Sequence, residues 1–176
     1  MVIELFGIFS QNLLGPIYAV FVKQIGGNFI DAGVALAINF STVGMLTLFT
    51  SRLAQKYHNE KIQIILGYLL ACLVAYIYTI ITIPIHLFIL QIFAGIAYSL
   101  YAPALNGLYS STLSPDQHTL GWGNFLSMVY WVAAFSLVYS GFVSERFGFN
   151  ALFYSMLAAQ IFGALGAIIL FVSSNH

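Results

Sequence analysis

Residues 87–106 read LFILQIFAGIAYSLYAPALN. The stretch carries no Asp, Glu, Lys, Arg or His, and it has the ~20 mostly apolar residues that an α-helix needs to cross ~30 Å of hydrocarbon. It belongs to a longer span, about Ile85 to Leu113. Working outward, five further segments meet the same length: about Val2 to Val22, Ala32 to Thr50, Ile62 to Thr82, Asn124 to Val143 and Asn150 to Val172. Six spans and their connections use the whole chain, so the expectation is one domain, residues 1–176, with no soluble part. The expected class is all-α: a polytopic membrane protein of six transmembrane helices.

Composition excludes the alternatives. Hydrophobic residues make up 61% of the 176 and charged residues 6%, and the mean hydropathy is +0.95. A soluble domain carries about 25% charged residues, so this chain could not cover a soluble surface. Five Lys and Arg against five Asp and Glu leave no net charge and no basic stripe for nucleic-acid phosphates. The hydrophobicity excludes disorder. The single cysteine, Cys72, excludes a disulfide framework and a Cys-based zinc cluster.

Helix punctuation separates the spans. Gly26, Gly27 and Asn28 form a turn, and Asp31 fits an N-cap for the second span. Ser51 to Lys61 is the most polar stretch. Ile83 to His86 suits a tight hairpin, Ser114 to His118 closes the fourth span, and Glu145 to Asn150 separates the last two. Met1 to Gly15 does not read as a signal peptide, since it carries Glu4 and no Lys or Arg. Cationic loops stay cytoplasmic. Arg52, Lys56 and Lys61 lie on the side of the termini and Lys23 and Arg146 on the other, which favours cytoplasmic termini in a plasma (inner) membrane.

Uncharged polar residues inside the spans carry the functional reading. Gln91, Gly95, Ser99, Ala102 and Asn106 recur at spacings of 4, 4, 3 and 4, which places them on one helical face. Glu4, Gln11, Gly15 and Tyr18 share a face of the first span, and Asn39 and Ser41 lie within the second. In the fifth, Asn124, Ser127 and Trp131 descend one side. Such faces either line a polar cavity or join helices by small residues and interhelical hydrogen bonds. Tyr98, Tyr101, Tyr130 and Trp131 fall nearer mid-depth, where aromatic faces hold a neutral or partly apolar ligand or simply pack. The candidate cavity residues are Gln11, Asn39, Gln91, Tyr98, Asn106 and Trp131. Pro16 and Pro103 fall inside spans, and each frees a carbonyl one turn back.

Catalytic constellations are missing. His58, His86, His118 and His176 fall in loops or at the terminus without a metal-pair spacing. No Gly-rich phosphate loop with Lys exists, so ATP cannot drive transport on this chain alone. The expectation is no enzyme, no metal and no cofactor.

Six spans, a short basic loop between the second and third, and a Gly-bearing loop between the fifth and sixth resemble one half of a major facilitator superfamily transporter. That family's loop signature reads Gly-x-Leu-Ala-Asp-Arg-x-Gly-Arg-Arg. Here Leu53, Ala54 and the cationic Lys56 match, Gln55 stands in place of the acid and His58 in place of the second glycine. In the family the acid joins a charge-pair latch between helices, so the resemblance implies a gating loop at Leu53, Ala54, Gln55 and Lys56 without the usual charge. Leu90 to Gly95 resembles the family's Arg-x-x-x-Gly pattern, with Gln91 where many proton-coupled members carry arginine. Gly141 to Phe153 is similar to the family's link into its sixth helix. The Gly-Pro signature of antiporter fifth helices is absent, which argues against proton-driven drug antiport.

Complete members have two six-helix halves related by an axis along the membrane normal. Two parallel copies of this chain would rebuild that shape with C2 symmetry. The resemblance therefore implies a homodimeric half-size carrier in the lipid bilayer, moving a small, largely uncharged solute by alternating access. The competing readings are a non-transporting membrane subunit or scaffold, and a split half that needs a different six-helix partner.

Overall fold

The computed structural model describes residues 2–173; Met1 and His176 lie outside them. Among the described residues every regular element is helical: α1 Val2–Asn12, a 3₁₀ turn Gly15–Ile17, α2 Tyr18–Gln24, α3 Phe29–Tyr57, α4 Glu60–Tyr78, α5 Pro84–Ser111, a second 3₁₀ turn Pro115–Gln117, and α6 His118–Ser173. Among the described residues five stretches are long and apolar enough to cross a membrane, against six expected: Val2–Gln24, Phe29–Tyr57, Glu60–Tyr78, Pro84–Ser111 and Pro115–Phe171.

The fifth of these is 57 residues long, far more than one crossing needs. Its helix is broken at Gly148, whose φ of 79° and ψ of 176° are non-helical and essentially reserved for glycine. In a straight helix residues 139 and 155 would stand ~24 Å apart. Instead the Tyr139 hydroxyl lies 2.9 Å from Ser155 Oγ. The chain thus turns back at Gly148, and the two arms of α6, residues 118–147 and 149–173, pack side by side. The expected loop Glu145 to Asn150 shrinks to this one residue, because its neighbours keep helical hydrogen bonding up to the break.

Other boundaries also move. α3 begins with a capping box in which Asn28, not Asp31, is the N-cap. Asn28 Oδ1 accepts from the Ile30 and Asp31 amides, and Asp31 Oδ2 accepts from the Asn28 amide at 2.8 Å. This is the reciprocal pairing that satisfies a helix's first free donors. α3 then runs for 29 residues, ~43 Å, and carries the signature residues Leu53, Ala54, Gln55 and Lys56 as helix rather than loop. Arg, Leu, Ala, Gln and Lys are good helix formers, and Ala54 is buried. The connection shrinks to His58, in the left-handed conformation (φ 50°), and Asn59. α6 starts at His118, six residues before the expected Asn124.

The two prolines behave differently. Pro16 falls in the 3₁₀ turn that separates α1 from α2. Pro103 stays inside a continuous α5. Its missing amide would have bonded the Ser99 carbonyl, and Thr50 Oγ1 from α3 donates to that oxygen at 2.7 Å. A neighbouring helix thus replaces the lost bond, as tolerated prolines in membrane helices require.

Close approach at small residues joins the helices, as expected where lipid removes the hydrophobic drive between them. A Cβ on Gly67 of α4 would stand 2.9 Å from the Ala97 carbonyl oxygen of α5, and one on Gly95 would stand 2.8 Å from Thr42 Cβ of α3. A Cβ on Gly163 of α6 would run into the Tyr68 ring of α4. α5 therefore lies against both α3 and α4, and α6 against both α1 and α4. α1 is held to α6 by stacking of Phe6 on Phe162 and by Ser10 Oγ, which donates to the Met156 carbonyl. α3 is the least covered span, with Phe29, Ile30, Phe40, Met45, Leu48 and Phe49 exposed.

Candidate functional site

A cavity of about 340 Å³ opens between the helices. Its walls come from α1 (Ser10, Gln11), the first 3₁₀ turn and its flank (Leu14, Gly15), α2 (Tyr18), α3 (Asn39, Phe40), α4 (Tyr78), α5 (Gln91, Tyr98, Tyr101) and α6 (Gln160), with aliphatic residues between them. No Asp, Glu, Lys, Arg or His lines it.

Gln91 is the hub. Its side chain is buried, and Nε2 donates to the Tyr18 hydroxyl at 2.6 Å and to the Tyr78 hydroxyl at 3.0 Å. Its backbone carbonyl accepts from Asn39 Nδ2 at 3.1 Å. Gln91 thereby ties together α2, α3, α4 and α5. The break at Pro16 makes this arrangement available, because Tyr18 opens α2 in a new direction instead of continuing α1. Gln11 Nε2 donates to the Tyr101 hydroxyl, and Tyr101 stacks on Tyr68 at 4.6 Å and meets Tyr98 edge-on at 5.5 Å.

Hydrogen-bonding capacity remains unspent. Tyr18, Tyr78 and Tyr101 accept from the glutamines, so each phenol keeps its own proton to donate. Gln160 Oε1 is buried without a partner. The wall thus combines carboxamides and phenols with mostly apolar surface. An ion brought there would find no countercharge, and an unpaired charge at membrane depth is costly.

The structure brings four of the six candidate cavity residues, Gln11, Asn39, Gln91 and Tyr98, to this cavity, along with Gly15, Tyr18 and Tyr101 from the same sequence reading. Asn106 and Trp131 are not among its lining residues. Asn106 lies farther along α5, its Oδ1 buried and unpartnered. Trp131 is exposed on the 118–147 arm, as is Tyr130. The expected stripe on α5 divides: Gln91 faces the cavity, whereas Gly95 and Ser99 form the seam with α3. Leu53 to Lys56 sit on α3 about 15–20 Å along the axis from Val43, the last α3 residue in the cavity wall. There Lys56 Nζ lies 5.2 Å above the Tyr57 ring. Glu4 is buried in α1 but does not line the cavity. Tyr78 and Gln160 were not singled out from sequence. Gln160, a polar residue in the middle of the last span, carries the same kind of signal as Gln91.

The metal-ligating residue types form no cluster of three among the described residues. The sequence profile of the Major Facilitator Superfamily matches residues 1–176.

The chain belongs to the Major Facilitator Superfamily.

That membership makes it a membrane transporter by family, all-α and integral to a membrane. No curated protein matches the chain.

Proposed function

We propose that this superfamily member is a six-helix half of a secondary carrier that moves a small uncharged solute by alternating access. The observation that carries the reading is the cavity between the helices, polar through Gln11, Asn39, Gln91 and Gln160, and lined by no charged residue. In this reading the arms of α6 are the fifth and sixth crossings. At 1.5 Å per residue they reach ~45 Å and ~38 Å, each more than the hydrocarbon thickness.

Two parallel copies related by a two-fold axis complete the pathway, so that each cavity faces the other and the exposed flanks of α3 and the 118–147 arm are covered. The termini lie in the cytoplasm of a plasma (inner) membrane, and the uncharged cavity favours facilitated diffusion over proton coupling. Uptake of neutral solutes into proteoliposomes tests the transport reading: saturable flux is expected, and no flux across a broad neutral panel counts against it. Native mass spectrometry from nanodiscs tests the homodimer. A stable dimer supports it, and a monomer, or a complex with a different six-helix chain, replaces it with the split-half reading.

A further inference from the structure

Most of the cavity's buried polar side chains are bonded to one another or to backbone, and the half-exposed Tyr98 hydroxyl is open to the cavity. Gln91 is bound to Tyr18 and Tyr78, Gln11 to Tyr101, and Asn39 to the Gln91 backbone. Gln160 differs. It is 5% exposed, it lines the cavity from the 149–173 arm, and its Oε1 is buried with no hydrogen-bond partner. A buried carboxamide oxygen left unpaired is a standing cost to the fold. Leucine or methionine would fill the same space at no such cost. An acceptor kept at a cavity wall against its own stability is the mark of a group that finds its partner in the ligand.

We infer that Gln160 is a specificity-determining residue, which takes a hydrogen bond from the solute and selects neutral compounds with an O–H or N–H donor. This deepens the carrier reading and rests on it. The terminal torsion of a glutamine is broad, so a donor entering the cavity can draw the oxygen out of the wall by rotating the amide. The phenolic protons of Tyr18 and Tyr78 then meet an acceptor elsewhere on the same solute. The wall therefore asks for both a donor and an acceptor, which hydroxyl groups and carboxamides supply. A volume of about 340 Å³ equals ~11 liquid-water volumes, which limits the solute to about that many non-hydrogen atoms. Such a site rejects a donor-less analogue strongly, because the analogue leaves buried polar groups unpaired.

Two readouts on the full chain in nanodiscs or proteoliposomes test the inference. In the absence of solute, Gln160→Leu is expected to raise Tm by about 3–6 °C; an unchanged or lower Tm means that Gln160 serves the fold and overturns the proposal. In flux, the probes are glycerol against its fully O-methylated ether, and acetamide against N,N-dimethylacetamide, all four small enough for the cavity. Wild type is expected to prefer the donor-bearing member of at least one pair, and the pair it prefers distinguishes hydroxyl from carboxamide recognition. Gln160→Leu is expected to reduce that preference about tenfold, while Gln160→Asn retains part of it. Wild-type flux with the preference intact in Gln160→Leu overturns the inference and leaves the carrier standing. If wild type moves none of the four probes, that result counts against the carrier reading and overturns the inference that rests on it.

Discussion

Replacing Gln91 with leucine keeps most of the side-chain volume and deletes the two hydrogen bonds to Tyr18 and Tyr78. Interhelical bonds in membrane proteins are worth about 0.6 kcal/mol on average and about 1.7 at most. The two together are therefore worth about 1–3 kcal/mol. The bonds join three separate helices, so their loss is expected to loosen the cavity wall as well as to lower stability. A double-mutant cycle isolates the effect. Tyr18→Phe and Tyr78→Phe should each cost about 0.6–1.7 kcal/mol in wild type and almost nothing in the Gln91→Leu background. Tyr98→Phe provides the control, since Tyr98 lines the same cavity without bonding to Gln91, and its cost should be the same in both backgrounds. The measurement is reversible unfolding by SDS titration in mixed micelles, with solute flux read on the same variants. Additive energies for Gln91 with both tyrosines would refute the hub.

Other contacts give equally direct outcomes. Thr50→Val leaves the Ser99 carbonyl without a donor and should cost about 1 kcal/mol. That cost should shrink in Pro103→Ala, whose restored amide serves the same oxygen, as an unfolding cycle would read. Gly67→Ala pushes a methyl against α5 backbone 2.9 Å away and should destabilise by about 1–3 kcal/mol. Gly44→Ala, with nothing within 4 Å, should be neutral or better in the same thermal assay. Gly148→Ala forces a φ of 79° on a residue with a side chain, and its cost of about 1–3 kcal/mol should appear as lower Tm and lower folded yield. Asn106→Ala removes an unpartnered oxygen and, unlike Gln91→Leu, should leave Tm unchanged or raise it.

Much of the fold was legible because the bilayer leaves few solutions. Runs of ~20 apolar residues in this chain have to satisfy their backbone internally, and helices do that one segment at a time. The helix ends were less legible, since propensity and capping decide them locally. Leu53 to Lys56 read as loop by polarity, but they extend α3 because their types favour helix and Ala54 finds a buried seat. Asp31 reads as an N-cap, yet it serves as the third member of a box that Asn28 opens.

The sequence by itself determined that the chain is a helical membrane protein whose spans, Glu4 aside, carry almost no charge, since composition and segment length admit little else. It also marked Gln11, Asn39, Gln91 and Tyr98, because a polar side chain at membrane depth needs a reason to be there. Only the tertiary structure decided what each of them meets. Gln91 gathers two phenols from helices 73 and 13 residues away in sequence, Asn106 lies outside the cavity wall, and Gln160 enters it. Helical periodicity specifies which residues share a face. Which neighbour that face meets depends on where glycines let backbones approach and where Pro16 and Gly148 turn the chain, and those are properties of the assembled bundle.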